Sequence, residues 1–225
     1  MKKRRTSKGK GRRTAVWLGL AVLLAAAGWL RLQGKKELWK RSIVKVWLIG
    51  FAADFAGAAL MRPATDSVYR QMYPRKYSHY IEQYSREYGV DKNLVYAVTR
   101  IESNFDPQAV SSADARGLMQ MTSDAFDWVQ YRMGDDSGVS YEQIFEPKVA
   151  IQYGTYMLHL LLEEMGDEKL AICAYHAGMS NVRSWLSQEN YSKDGKTLDK
   201  IPYSDTEWYY DKVSQAKQIY EELYS

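Results

Sequence analysis

Glu102 is the residue whose type and position could do chemistry. Leu94, Val98, Ile101 and Phe105 recur at steps of three and four, with Val95 alongside, as on the apolar face of a helix. Glu102 falls within that stripe, four after Val98 and three before Phe105. Burial disfavours the charged form of a carboxyl and raises its pKa. Such a group can keep a proton near neutral pH and deliver it as a general acid. Position alone leaves a second reading open, in which Glu102 merely edges the core. Other chemistries find less support. The histidines are His79, His159 and His176, and they form no Ser–His–Asp order, HExxH motif or partner to a glycine-rich phosphate loop. His159 follows Met157 and Leu158 in an apolar helical pattern and reads as structural. Cys173, the one cysteine, reads as a small buried hydrophobe and excludes an internal disulfide or a cysteine-built zinc site. No metal and no cofactor are expected.

The elements that must position Glu102 read as helices. Tyr77, Tyr80, Ile81, Tyr84 and Tyr88 carry a helical period that Gly89 stops. Asp91 is placed to cap the next helix, which holds Glu102 and runs to about Asn104. Ser123–Met133 forms another, closed by Gly134. Pro147 opens a long apolar helix that Gly166 stops, and Asp167 caps the segment containing Leu170–Tyr175. Met179–Leu186 and Thr206–Tyr224 supply two more. No convincing alternating strand, repeat or low-complexity tract appears beyond a basic tail. The expectation is a mainly α, multi-helix domain over residues 73–225.

The N-terminal part has a different character. Lys2, Lys3, Arg4, Arg5, Lys8, Lys10, Arg12 and Arg13 form a basic tail over residues 1–13. Removing these eight from 31 basic residues leaves 23 against 27 acids, a net of −4 for the rest. That balance argues against a nucleic-acid partner, which needs a clustered basic surface. Residues 14–32 span about 28 Å as a helix, close to the roughly 30 Å of a bilayer core. They are expected to be a transmembrane anchor, with a cleaved signal segment ending near Ala25-Ala26-Ala27 as the alternative. Either places the remainder outside the cytoplasm, and no N-terminal cysteine offers a lipid attachment point. Residues 33–72 read as a juxtamembrane segment. Its apolar run, Val46–Met61, contains Asp54 and reads as an interfacial or packed helix, followed by a linker to about Pro74.

Local motifs add a resemblance. Ile101-Glu102-Ser103-Asn104-Phe105, followed by Asp106-Pro107, resembles the glutamate–serine motif of the soluble-type lytic transglycosylases, whose fold is lysozyme-like. Ala115-Arg116-Gly117-Leu118-Met119-Gln120 is similar to that family's second motif, and Ala174-Tyr175-His176-Ala177-Gly178 to its third. Ile201-Pro202-Tyr203-Ser204-Asp205-Thr206, with Tyr209 and Val213, is similar to its fourth. Four motifs in order, across about two-thirds of the chain, make the resemblance specific. It implies cleavage of the peptidoglycan bond between N-acetylmuramic acid and N-acetylglucosamine, with 1,6-anhydro ends as product. It further implies Glu102 as catalytic acid and base. Ser103, Gly117, Met119, Gln120, Tyr175, His176 and Tyr209 would be substrate-binding, with Gly117 allowing close backbone approach, Met119 and Gln120 lining a groove and the Tyr175 hydroxyl orienting Glu102; Met119 reads equally as plain core. The implied partners are glycan strands and, through the N-terminal helix, the cytoplasmic membrane.

This sequence departs from the pattern at three places: His176 replaces an asparagine, Thr122-Ser123 replaces methionine-proline, and Asp199 stands near a usual glutamate. Thr122 can still cap the helix after it. Two competing functions remain on the residues. A lysozyme-type muramidase would need a second carboxylate, for which Asp114, Asp199 and Asp205 are available. A wall-binding scaffold would need none.

Overall fold

In a computed structural model the structure describes residues 66–224. The basic tail, the 14–32 segment and the Val46–Met61 run lie outside the described residues. Among the described residues seven α-helices follow one another from Ser78 on: α1 (Ser78–Tyr88), α2 (Lys92–Ser103), α3 (Ser123–Met133), α4 (Pro147–Met165), α5 (Glu168–Ala177), α6 (Met179–Leu186) and α7 (Ser204–Tyr224). A 3₁₀ turn, Tyr141–Phe145, precedes α4. A further short helical stretch covers 66–72. Among the described residues extended pairing is limited to two isolated bridges, Val110 with Arg116 and Arg116 with Met121.

The helix ends follow their local chemistry. The Asp91 side chain accepts from Asn93 N–H at 2.8 Å, Thr122 from Ala125 N–H at 3.3 Å, and Asp167 from Leu170 N–H at 3.0 Å. Gly89, Gly134 and Gly166 close α1, α3 and α4 in the left-handed conformation. Pro147 opens α4, where its missing N–H costs nothing.

Helix α4 runs through the middle of the bundle. It packs against α1 and α5, while α7 packs against α2 and α5. The main core joins α1, α2, α3, α4 and α7, with a second cluster under α5, α6, Leu198 and Ile201. In α2 the burial is continuous from Leu94 to Thr99, so its middle is enclosed on all sides. Toward its C-terminal end the enclosure opens, and Ile101, Glu102 and Ser103 are only half-buried.

Two features depart from the sequence expectation. The 66–72 stretch is helical where a linker was expected. Its Val68, Tyr69 and Met72 are exposed, so no apolar period marks it. Arg70 instead secures it to the end of α7, donating to the Leu223 carbonyl at 2.6 Å and lying 4.7 Å from the Tyr224 ring centre. The 3₁₀ turn is the second feature, opened by Ser140 N–H donating to the Gln143 side chain at 3.0 Å, and Gly117 lies against it. A Cβ on Gly117 would stand 2.4 Å from the Ile144 carbonyl oxygen, and the residue has φ +74°. Only glycine lets the loop after α2 lie against that turn.

Candidate active site

Glu102 leaves the last turn of α2 toward α7. Its Oε1 accepts a hydrogen bond of 2.5 Å from the Tyr209 hydroxyl. Burial pushes the carboxyl up to about 7, and the Tyr209 bond, which favours the charged form, offsets part of that rise. Near neutral pH the group therefore populates both protonation states. Tyr209 is buried, and burial first, then the nearby Glu102 charge, hold its hydroxyl well above the ordinary phenol range. It stays a proton donor to Glu102. Tyr175 is raised for the same two reasons, in the same order.

The remaining motif residues build the walls rather than the acid. Gly117 to Gln120 form a loop facing α2, α4 and α5. The Ser103 hydroxyl fastens it from α2 by donating to the Leu118 carbonyl at 2.8 Å. Tyr175 fastens it from α5, donating to the Met119 carbonyl at 2.7 Å. Gln120 braces it from within, its amide N–H₂ donating to the Ala109 and Gly117 carbonyls at 3.0 Å each. His176 stacks on Tyr209, with ring centres 4.6 Å apart, and its Nδ1 lies 3.1 Å from the Thr206 hydroxyl.

Three expectations need correcting. The hydroxyl that orients Glu102 belongs to Tyr209, whereas that of Tyr175 is committed to the Met119 carbonyl. Met119 does not line a groove with its side chain, which is 0% exposed. It packs against α4 where Gly154 makes room, since a Cβ there would meet the Met119 Sδ at 2.4 Å. Close backbone approach at Gly117 is to Ile144 of the protein itself. The three alternative carboxylates are engaged elsewhere. Asp114 pairs with Arg116 at 2.9 Å, Asp199 accepts from Lys193 N–H at 3.0 Å, and Asp205 accepts from Thr206 N–H at 2.8 Å. None contributes to the raised pKa of Glu102. Among the described residues no cluster of three or more histidine, cysteine or acidic side chains is placed to hold a metal.

Sequence reasoning missed several supports. Thr206, 1% exposed, meets His176. Tyr141 donates to the Asp114 or Met121 carbonyl, at 2.8 Å in either case, and holds the loop from the 3₁₀ turn. Gly154 had a signal: glycine inside a long apolar helix costs about 1 kcal/mol, which a packing need can repay.

Residues 79–198 match the model of the transglycosylase SLT domain. The chain belongs to that family. Its relatives include membrane-bound lytic murein transglycosylase C of Salmonella arizonae, 31% identical over 166 residues, covering 64% of this chain and 46% of the relative. Soluble lytic murein transglycosylase of Salmonella typhimurium is 30% identical over 147 residues, covering 64% and 22%. The SLT chain thus spans less than half the length of the curated relatives it matches. Among solved structures, an inactive glutamate-to-glutamine mutant of lytic transglycosylase Slt from Pseudomonas aeruginosa superposes with TM-score 0.60 and 26% identity. It covers 67% of this chain and 25% of that one. The 70 kDa soluble lytic transglycosylase of Escherichia coli gives TM-score 0.62 at 23% identity, covering 68% and 25%, and shares the fold.

Proposed function

We propose that this SLT-domain protein is a peptidoglycan lytic transglycosylase with Glu102 as its acid and base. The observation that carries the reading is the half-buried carboxyl, poised near pKa 7 and hydrogen-bonded by Tyr209. Protonated Glu102 donates to the oxygen joining C1 of N-acetylmuramic acid to N-acetylglucosamine, and that bond breaks. The substrate's own N-acetyl group stabilises the electron-poor C1. Ionised Glu102 then removes the proton of the muramic C6 hydroxyl, whose oxygen bonds to C1 and closes the 1,6-anhydro ring. Glu102 ends protonated and no water is consumed. A group with pKa near the working pH serves both steps, since neither protonation state is costly to reach.

Tyr209 positions Glu102 and stabilises its ionised form between the two steps. Ser103, Gln120 and His176 are proposed to meet the sugars with the lone pairs, amide oxygen and ring edge that their internal bonds leave available. Gly117, Met119 and Tyr175 act through the loop they shape. A muramidase would want a second carboxylate beside Glu102, and Asp114, Asp199 and Asp205 are tied to other partners.

We further propose the domain limits expected from the sequence: tail 1–13, anchor or signal 14–32, juxtamembrane segment 33–72, catalytic domain 73–225. Membrane attachment, with the catalytic domain outside the cytoplasm, is supported by the apolar 14–32 run and by relatives named membrane-bound. No helix of the described residues is long and apolar enough to cross a membrane. Mass spectrometry of digested peptidoglycan tests the reaction. The wild type should release anhydro-muramic ends and Glu102→Gln none, with unchanged helical circular dichroism. Reducing muramic ends, or an active Glu102→Gln, would overturn the mechanism.

A further inference from the structure

The 2.5 Å bond from Tyr209 to Glu102 needs a phenol ring that keeps one orientation. The hydroxyl sits at the far end of its side chain, so a small turn of the ring carries it off the carboxylate oxygen, and hydrogen bonds weaken steeply with misalignment. One face of the Tyr209 ring lies against the imidazole of His176, with ring centres 4.6 Å apart and planes inclined by 29°. Aromatic pairs attract at that separation. The imidazole is itself held, because its Nδ1 lies 3.1 Å from the hydroxyl of the buried Thr206. Thr206 and Tyr209 stand three apart on α7 and so share one side of that helix. Reaching across from the last turn of α5, the His176 ring therefore meets α7 at two points. A hydroxyl fixes its edge and a phenol ring covers its face. Tyr175, its neighbour on α5, is tied to the Met119 carbonyl on the other side, which anchors this end of α5.

We propose that His176 is a positioning residue, whose ring holds the Tyr209 ring so that the phenol hydroxyl reaches Glu102. The inference rests on the proposed role of Glu102 as acid and base, and it concerns the imidazole plate rather than its proton. His176 acts on Glu102 only through Tyr209, since burial and the Tyr209 bond are the causes of the carboxyl's shifted pKa and the imidazole adds nothing directly. The ring edge that Thr206 leaves free remains for the sugar, so the two roles use different parts of one side chain. Asparagine, the residue that His176 replaces, separates the two contacts with α7. Its amide can meet the Thr206 hydroxyl but offers no aromatic plate. Phenylalanine does the reverse, keeping the plate and losing the hydrogen bond.

The experiment titrates the Glu102 carboxyl by ¹³C NMR in the full-length protein and its His176 variants, with circular dichroism to check the fold. A stacked pair of rings contributes enough to move a midpoint by about 0.4–1.1 pH units. In His176→Asn the midpoint should rise by that much above the wild-type value of about 7, because the Tyr209 bond loosens, and the alkaline limb of kcat/KM should follow it. In His176→Phe the midpoint should stay, although the variant melts earlier because the Thr206 hydroxyl loses its partner. A merely structural His176 would lower the melting temperature in both variants and move neither midpoint. In a Tyr209→Phe background, His176→Asn should add no further rise. An unmoved midpoint in His176→Asn, an equal rise in His176→Phe, or an additive rise in the double variant would overturn the proposal. Should His176→Asn lose the fold, His176→Leu, which fills the space without a plate, is titrated against the same expectations. The titration needs no substrate, so it decides the positioning role even if the wild type yields no anhydro ends and the reaction itself fails.

Discussion

Replacing Tyr209 by phenylalanine removes one oxygen and, with it, the hydrogen bond that favours the charged form of Glu102. The bond is 2.5 Å long, in the range of an O–H group donating to a carboxylate. Such bonds contribute about 1.5–3 kcal/mol. Since 1.36 kcal/mol corresponds to one pH unit, the carboxyl should rise by about one to two pH units. From about 7 in the wild type it would reach roughly 8–9. The first step needs protonated Glu102, so activity falls as pH rises through that pKa. The alkaline limb of kcat/KM for release of anhydro-muramic ends should therefore move upward in Tyr209→Phe. The maximal rate should fall by about 10- to 100-fold, because the ionised glutamate between the two steps loses its partner. Tyr209 is 3% exposed, so the phenyl ring has the same buried seat. A limb that stays near pH 7, or moves down, in a variant with unchanged circular dichroism would refute the role given to this bond.

Further outcomes follow from the same structure. Glu102 is raised from 4.5 to about 7, so the folded state binds more protons than the unfolded state between those values. Its contribution to stability is therefore fully present below pH 4.5 and is lost as pH rises through 7, by about 3 kcal/mol in all. Glu102→Gln should gain in melting temperature over the wild type between pH 5 and pH 8, and a constant difference would contradict the raised pKa. Gly117→Ala should destabilise by about 2–4 kcal/mol in chemical denaturation, because its Cβ meets the Ile144 carbonyl at φ +74°. A loss under 1 kcal/mol would mean that the loop does not press on the 3₁₀ turn. Tyr175→Phe leaves the Met119 carbonyl without its partner and should cost about 1–3 kcal/mol. The alkaline limb should not move as it does in Tyr209→Phe; the same shift would return the orienting role to Tyr175.

The helices were largely legible because their stops are chemical. Asp91, Thr122, Asp167, Pro147 and the closing glycines each satisfy or omit a backbone group at a helix end, and that need is local. The position of Glu102 on a buried face was legible for the same reason, since a helical period fixes which residues share a side. What lay beyond reach was which distant groups meet. Tyr175 and Tyr209 are alike in sequence, each a tyrosine within a helical segment, and only the packing of α5 and α7 decides which hydroxyl finds the carboxyl. The groove role of Met119 came from the motif resemblance alone, yet the absent side chain at Gly154 makes room for it in the core. The 66–72 helix escaped because its Arg70, held by the Leu223 carbonyl and the Tyr224 ring at the end of α7, secures it, leaving no apolar stripe to read.

Both steps of the proposed reaction need a glutamic acid that keeps its proton to about pH 7. Following the carboxyl carbon of Glu102 by ¹³C NMR from pH 4 to pH 10, with Glu102→Gln to assign the signal, measures that directly. A midpoint about 7 is the expected result. A midpoint at the ordinary glutamate value of about 4.5 would contradict it, because a group already ionised at neutral pH has no proton to give.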